Sequence, residues 1–128
     1  MSYHFTTTID GSFDEAIDTV TKALAEKGFG VLTTIDVSAT LKKKIDVDYP
    51  PYVILGACNP GFAHKALLME NKIGTMLPCN VILQQTSDGK IEVSAVDPAA
   101  SMQAIDNTGL GDIAGTVRTM LQEVISGL

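Results

Sequence analysis

Two cysteines in this chain are each followed by asparagine, at Cys58-Asn59 and Cys79-Asn80, and His64 lies between the two pairs. The stretch Leu55–Asn80, LGACNPGFAHKALLMENKIGTMLPCN, also carries two of the five methionines, so the side chains best suited to thiol or soft-ligand chemistry crowd into one segment. Asn59-Pro60 has the form of a helix N-cap followed by proline at the first helical position. Cys58 therefore sits at a strand end just ahead of a helix, where free N–H groups and the positive end of the helix dipole favour a thiolate. His64, about one turn into that helix, could face the same end. A helix from Pro60 to Glu70 is about 16 Å long, and the residues Asn71–Pro78 can span up to roughly 26 Å, so the chain can bring Cys79 back to Cys58.

Three readings of this segment compete. In the first, Cys58 and Cys79 are small buried apolar side chains, Asn59 caps a helix and Asn80 bonds a backbone group. In the second, Cys58, Asn59, His64, Cys79 and Asn80 form a small-ligand site, or Cys58, Cys79 and His64 hold a soft metal such as Cu(I), Zn or haem iron, with Met76 as a further donor. The spacing matches no standard zinc pattern. In the third, Cys58 and Cys79 form a reversible disulfide, although no Cys-x-x-Cys motif is present. A Cys58 nucleophile with His64 as base lacks a third residue to orient it, so catalysis is not the favoured reading. A binding or sensing domain leads; its rival is a structural or interaction module with inert thiols.

Other motifs carry less. Gly109–Gly115 resembles a phosphate loop but follows no strand and misses the G-x-G-x-x-G spacing, so it reads as a turn and a helix start. Lys42-Lys43-Lys44 is flanked by Asp36, Asp46 and Asp48 and reads as a solvated face. His4 falls on the polar side of a strand, with no role to assign.

The elements that must position these residues follow from periodicity. Tyr3, Phe5, Thr7 and Ile9 alternate with polar residues, a strand signature. Ser12 with Glu15 marks a capping box, and Phe13, Ile17, Val20 and Leu24 then recur at helical spacing until Lys27-Gly28. Phe29, Val31, Thr33, Ile35 and Val37 alternate as a second strand. A short helical turn over Ser38–Lys44 precedes the extended Tyr49-Pro50-Pro51. Tyr52–Cys58 reads as the third strand, Pro60–Glu70 as a helix and Asn71–Pro78 as an irregular return loop. Cys79–Gln85 and Lys90–Val96 form a hairpin about Thr86–Gly89. A short helical piece is expected at Ala99–Ile105 and turn residues at Asn107–Gly111. The final helix carries Ile113, Val117, Leu121 and Val124 on one face. This order favours an α+β domain, an antiparallel sheet of about five strands with helices packed on it.

Length and composition bound the rest. The 128 residues suit one domain covering the whole chain, with 45% hydrophobic and 19% charged residues and mean hydropathy +0.21, values of a folded globular chain. A net charge of −6 disfavours nucleic acid and anionic membranes, which demand phosphate neutralisation. The longest apolar runs are far below the ~20 residues of a membrane span. The N-terminus lacks the basic start and apolar stretch of a signal peptide, so a cytoplasmic location is expected, with both cysteines as thiols.

The strand Tyr52-Val-Ile-Leu-Gly-Ala-Cys-Asn-Pro60, the stretch Ala63-His-Lys-Ala-Leu67 and the Leu77-Pro-Cys-Asn-Val81 return resemble the family called domain of unknown function 302. Gly28–Val37 and Val96-Asp97-Pro98 extend the resemblance along nearly the whole chain. It implies an α+β fold with helices on an antiparallel sheet, of TATA-binding-protein-like type, and a homodimer. Thr75 and Met76 depart from the apolar leucines of the family pattern.

Overall fold

The computed structural model describes residues 2–128. Strand β1 (His4–Ile9) runs into helix α1 (Phe13–Glu26), where Ser12 Oγ accepts the Glu15 N–H at 3.1 Å, the expected cap. Ala16, Val20 and Leu24 form its buried stripe. Gly28, at φ 85°, ends it: the Phe29 N–H reaches Leu24 O and the Gly28 N–H reaches Ala25 O. This pairing satisfies carbonyls that the last turn leaves free and requires a left-handed residue, which glycine adopts without strain.

Strand β2 (Gly30–Asp36) differs from the expected alternation. Its register shifts between Val31 and Thr33, so Leu32 points outward at 66% exposure and Ile35 is also exposed. An edge strand paired on one side only tolerates such a bulge. Asp36 caps helix α2 (Val37–Ile45) through its bond to the Ala39 N–H, which draws Val37 out of the strand and into the helix. Strand β3 (Tyr52–Cys58) and helix α3 (Pro60–Met69) follow as anticipated.

The Asn71–Pro78 return is less irregular than its sequence suggests. It contains a 3-10 turn over Ile73–Met76, anchored by fully buried Ile73 against Ala66 and Leu110. The hairpin of β4 (Cys79–Gln85) and β5 (Ile91–Val96) forms as expected. Helix α4 (Pro98–Ser101) is shorter than the Ala99–Ile105 expectation and starts earlier, because Asp97 Oδ1 accepts the Ala99 and Ala100 N–H groups. Helix α5 (Thr108–Ser126) begins within the residues expected to form a turn. Asn107 Oδ1 caps it at Gly109 N, 3.2 Å, Asn107 Nδ2 donates to Met69 O at 3.1 Å, and buried Leu110 adds an apolar anchor.

All strand pairs are antiparallel, in the order β1-β5-β4-β3-β2. Inner-face residues such as Leu55, Val81, Leu83, Ile91 and Val93 meet Val20 and Leu24 of α1 and Leu121 and Val124 of α5 in one continuous core. Burial of such side chains, about 1.5–3 kcal/mol each, is the main drive to this layered arrangement. The fold is therefore α+β, a five-stranded antiparallel sheet with helices packed on it. No described helix is long and apolar enough to cross a membrane.

Candidate functional site

The ladder between β3 and β4 places Cys79 opposite Ala57, one residue from Cys58, which pairs with Gly30 on the other side. The two Cys-Asn pairs thus meet at one end of the sheet, as the chain-length argument allowed. Asn59 turns the strand into the helix: its Oδ1 accepts the Phe62 N–H at 3.2 Å. Its Nδ2 lies against Gly28, where a Cβ would stand 3.0 Å away. The Gly28–Gly30 stretch therefore packs directly on the Cys58-Asn59 corner.

Cys58 and Cys79 both line one cavity, together with Phe62 and Ala66 of α3, Leu77, and Val117 of α5. Its lining is almost wholly apolar and it encloses about 40 Å³. A water needs some 10–15 Å³, while sites for drug-sized molecules run to roughly 300 Å³ and above. The cavity accordingly suits a few heavy atoms or the apolar tip of something larger.

The cysteines differ in their surroundings. Cys58 is half-buried and Cys79 buried, and neither is in a disulfide. Burial, and secondarily the neighbouring Cys58, pushes the Cys79 thiol from 9.0 up to about 11, because desolvation penalises the thiolate. Such a rise lowers the thiolate fraction about a hundredfold near neutrality, and only the thiolate is the nucleophile. With iodoacetamide at pH 8, native protein should take up one label at Cys58 while Cys79 reacts about a hundredfold more slowly than an ordinary thiol, and unfolded protein should take up two. Timed quenching and peptide mass analysis give the rates; equal labelling of both sites in native protein would contradict this picture.

Of the five residues that sequence reasoning grouped together, the structure brings Cys58, Asn59 and Cys79 to this cavity. His64 is exposed on α3 and does not line it. Asn80, one residue beyond Cys79 on β4, faces the other side of the sheet by strand alternation and lines a different cleft. Among the described residues, no three His, Cys, Asp or Glu side chains stand close enough together to hold a metal ion. Phe62, Met102 and Val117 also line the cavity and were missed from sequence. Phe62 carried a signal, since its N–H is the one that Asn59 caps, whereas Val117 was legible only as part of the stripe that covers the sheet.

The chain is similar to the crystal structure of an uncharacterized conserved DUF302 protein from Bacillus stearothermophilus, at 26% identity over 98% of each chain with a TM-score of 0.91. No curated protein matches the sequence. The match to one family runs from residue 5 to residue 128, and the chain belongs to that family, described as Domain of unknown function DUF302.

Proposed function

We propose that this chain is a small binding or sensing module whose site is the apolar cavity under the Cys58-Asn59 corner. The observation that carries the reading is the convergence of Cys58 and Cys79 on one cavity at the N-terminus of α3. Its ligand is a small apolar molecule, or the apolar end of a larger one, with the half-buried Cys58 thiol beside it. The soft-metal version has less support, because His64 stands apart and the Cys79 thiol is held protonated. Free thiols fit a reducing cytoplasm. A homodimer belongs to the same proposal, supported by exposed apolar side chains such as Leu32, Ile45 and Leu68.

Xenon is a suitable probe, since dry apolar cavities take it up and a single atom fits the volume. In ¹H–¹⁵N spectra of the intact chain it should shift the amides of Ala57, Phe62, Ala66 and Val117, and Ala63→Leu, which fills the cavity mouth, should abolish the shifts. Unmoved amides, or shifts that persist unchanged in Ala63→Leu, would leave the two cysteines as inert packing. A dilution series of the same spectra reports the dimer.

A further inference from the structure

The face of the sheet turned away from α1 and α5 holds a cleft of about 400 Å³, within the range of small-molecule sites. Tyr3, Tyr52, Asn80, Gln84, Glu92 and Ser94 line it. Its floor is tied together across strands. Thr6 Oγ1 lies 2.8 Å from Ser94 Oγ and 2.7 Å from His4 Nδ1, and Gln84 Nε2 donates to Glu92 Oε1 at 3.3 Å. Ser94 is only 7% exposed although it sits on the open face. Burial first, and then the nearby Tyr49 and Tyr3 hydroxyls, hold the Tyr52 phenol above its ordinary value. Tyr3, just ahead of β1, and Tyr52 on β3 line the same cleft.

The charge of the lining selects a ligand class. Glu92 is the one carboxylate among the lining residues, and no Lys or Arg is among them. An anion would find only the His4 ring, whose Nδ1 is already engaged by Thr6 Oγ1, while a cation would meet Glu92, the electron-rich faces of two phenol rings and amide oxygens of Asn80 and Gln84. The net charge of −6 adds long-range attraction of the same sign. Ile82, Ala95 and Val96 also line this face, so a second copy of the chain is the rival occupant, and its docking would show as dilution-dependent shifts of the same amides.

We propose that this cleft binds a small planar organic cation, an amidinium or a protonated aromatic amine, with its N–H groups on Glu92 and its ring plane against Tyr3 or Tyr52. The site lies on the opposite side of the sheet from the cysteine cavity and stands or falls independently of it.

Benzamidine, benzamide and benzoate share one shape and differ in charge. Titrated into the intact chain, benzamidine should shift the amides of Asn80, Ile82, Glu92 and Ser94, benzamide should do so more weakly, and benzoate should not. Glu92→Gln should weaken benzamidine about tenfold or more, the loss of one charge-assisted bond, and bring it to the level of benzamide. Tyr52→Leu, which leaves Glu92 in place, should weaken benzamidine and benzamide alike. Binding of benzoate as tight as that of benzamidine, shifts confined to Phe62 and Val117, or an unaltered benzamidine affinity in both variants would overturn the proposal. Dilution-dependent shifts at the same amides without any probe would give the face to a second copy and overturn it too.

Discussion

Gly56→Ala is expected to destabilise the fold by about 1–3 kcal/mol, the range for overpacking a tight interior. Gly56 is buried in β3 between its two neighbouring strands. A Cβ there would collide with Thr33 Oγ1 and come within 2.7 Å of Pro78 Cγ. Neither neighbour is the free end of a long side chain: Thr33 belongs to β2 beside its bulge, and Pro78 leads directly into Cys79. Gly30→Ala is the control, because a Cβ there meets nothing within 4 Å. Urea unfolding midpoints should therefore fall for Gly56→Ala and stay near the parent for Gly30→Ala. Adding Thr33→Ala to Gly56→Ala should recover part of the loss, with the Pro78 contact accounting for the remainder. Equal midpoints for the two glycine variants would refute the close approach. The same crowding links stability to the proposed cavity, since any shift of Pro78 displaces the Cys79 backbone.

The second large effect is expected at Asp97, a carboxylate 8% exposed at the exit of β5. Its Oδ1 caps α4 through the Ala99 N–H at 3.0 Å and the Ala100 N–H at 3.4 Å. Its Oδ2 accepts from Arg118 Nε on α5 at 3.0 Å, and the Arg118 guanidinium lies over the Phe5 ring of β1, 5.0 Å from its centroid. One side chain thus joins the last strand, the short helix after it and the covering helix. Asp97→Ala removes the cap, worth about 1 kcal/mol, leaves two amides without their acceptor, and frees Arg118. Because Arg118 is 40% exposed at its side chain, solvent screening limits the ion pair to at most about 1 kcal/mol. The sum is about 2 kcal/mol, or roughly 8 °C in thermal midpoint for a chain of this size. Asp97→Asn keeps an acceptor for the cap and loses the charge, so it should cost about half as much. A midpoint for Asp97→Ala within 2 °C of the parent, about the width of a neutral surface change, would show that the linkage is not holding these elements together.

The strands, the long helices and their order were legible because each carries a repeating apolar pattern that its packing partner enforces. Ser12, Asn59 and Gly28 announced their caps and stops by chemistry that acts within a few residues. The errors lie where a distant contact overrides a local signal. Gly109 and Gly111 look like turn formers, yet Asn107 anchors the start of α5 to Met69 O and Leu110 buries its first turn. Ile73 draws an apparently irregular loop into a 3-10 turn. At β2 the alternation in sequence is real, but the bulge divides it, because only one side of that strand is paired. The candidate site was half legible for a related reason. Neighbouring residues on a strand point to opposite faces, so Cys79 and Asn80 could not share a cavity once Cys79 turned inward. The helical phase of His64 could not be judged without knowing which side of α3 meets α5.

The strand order has a consequence for how the molecule comes into being. Strands β2, β3, β4 and β5 neighbour one another in the sheet in the order in which they occur along the chain, whereas β1 crosses to the far edge to pair with β5. The Thr6–Ser94 bond closes a separation of 88 positions, and loop closure over such a length costs about 4 kcal/mol before any ladder bond compensates it. The sequential strands close shorter separations, such as Asp36 to Val53 and Ala57 to Cys79, so the pairing of β1 is the most costly closure in the sheet. The open-face cleft, which takes Tyr3 and His4 from that end of the chain, therefore depends on the most costly closure in the sheet.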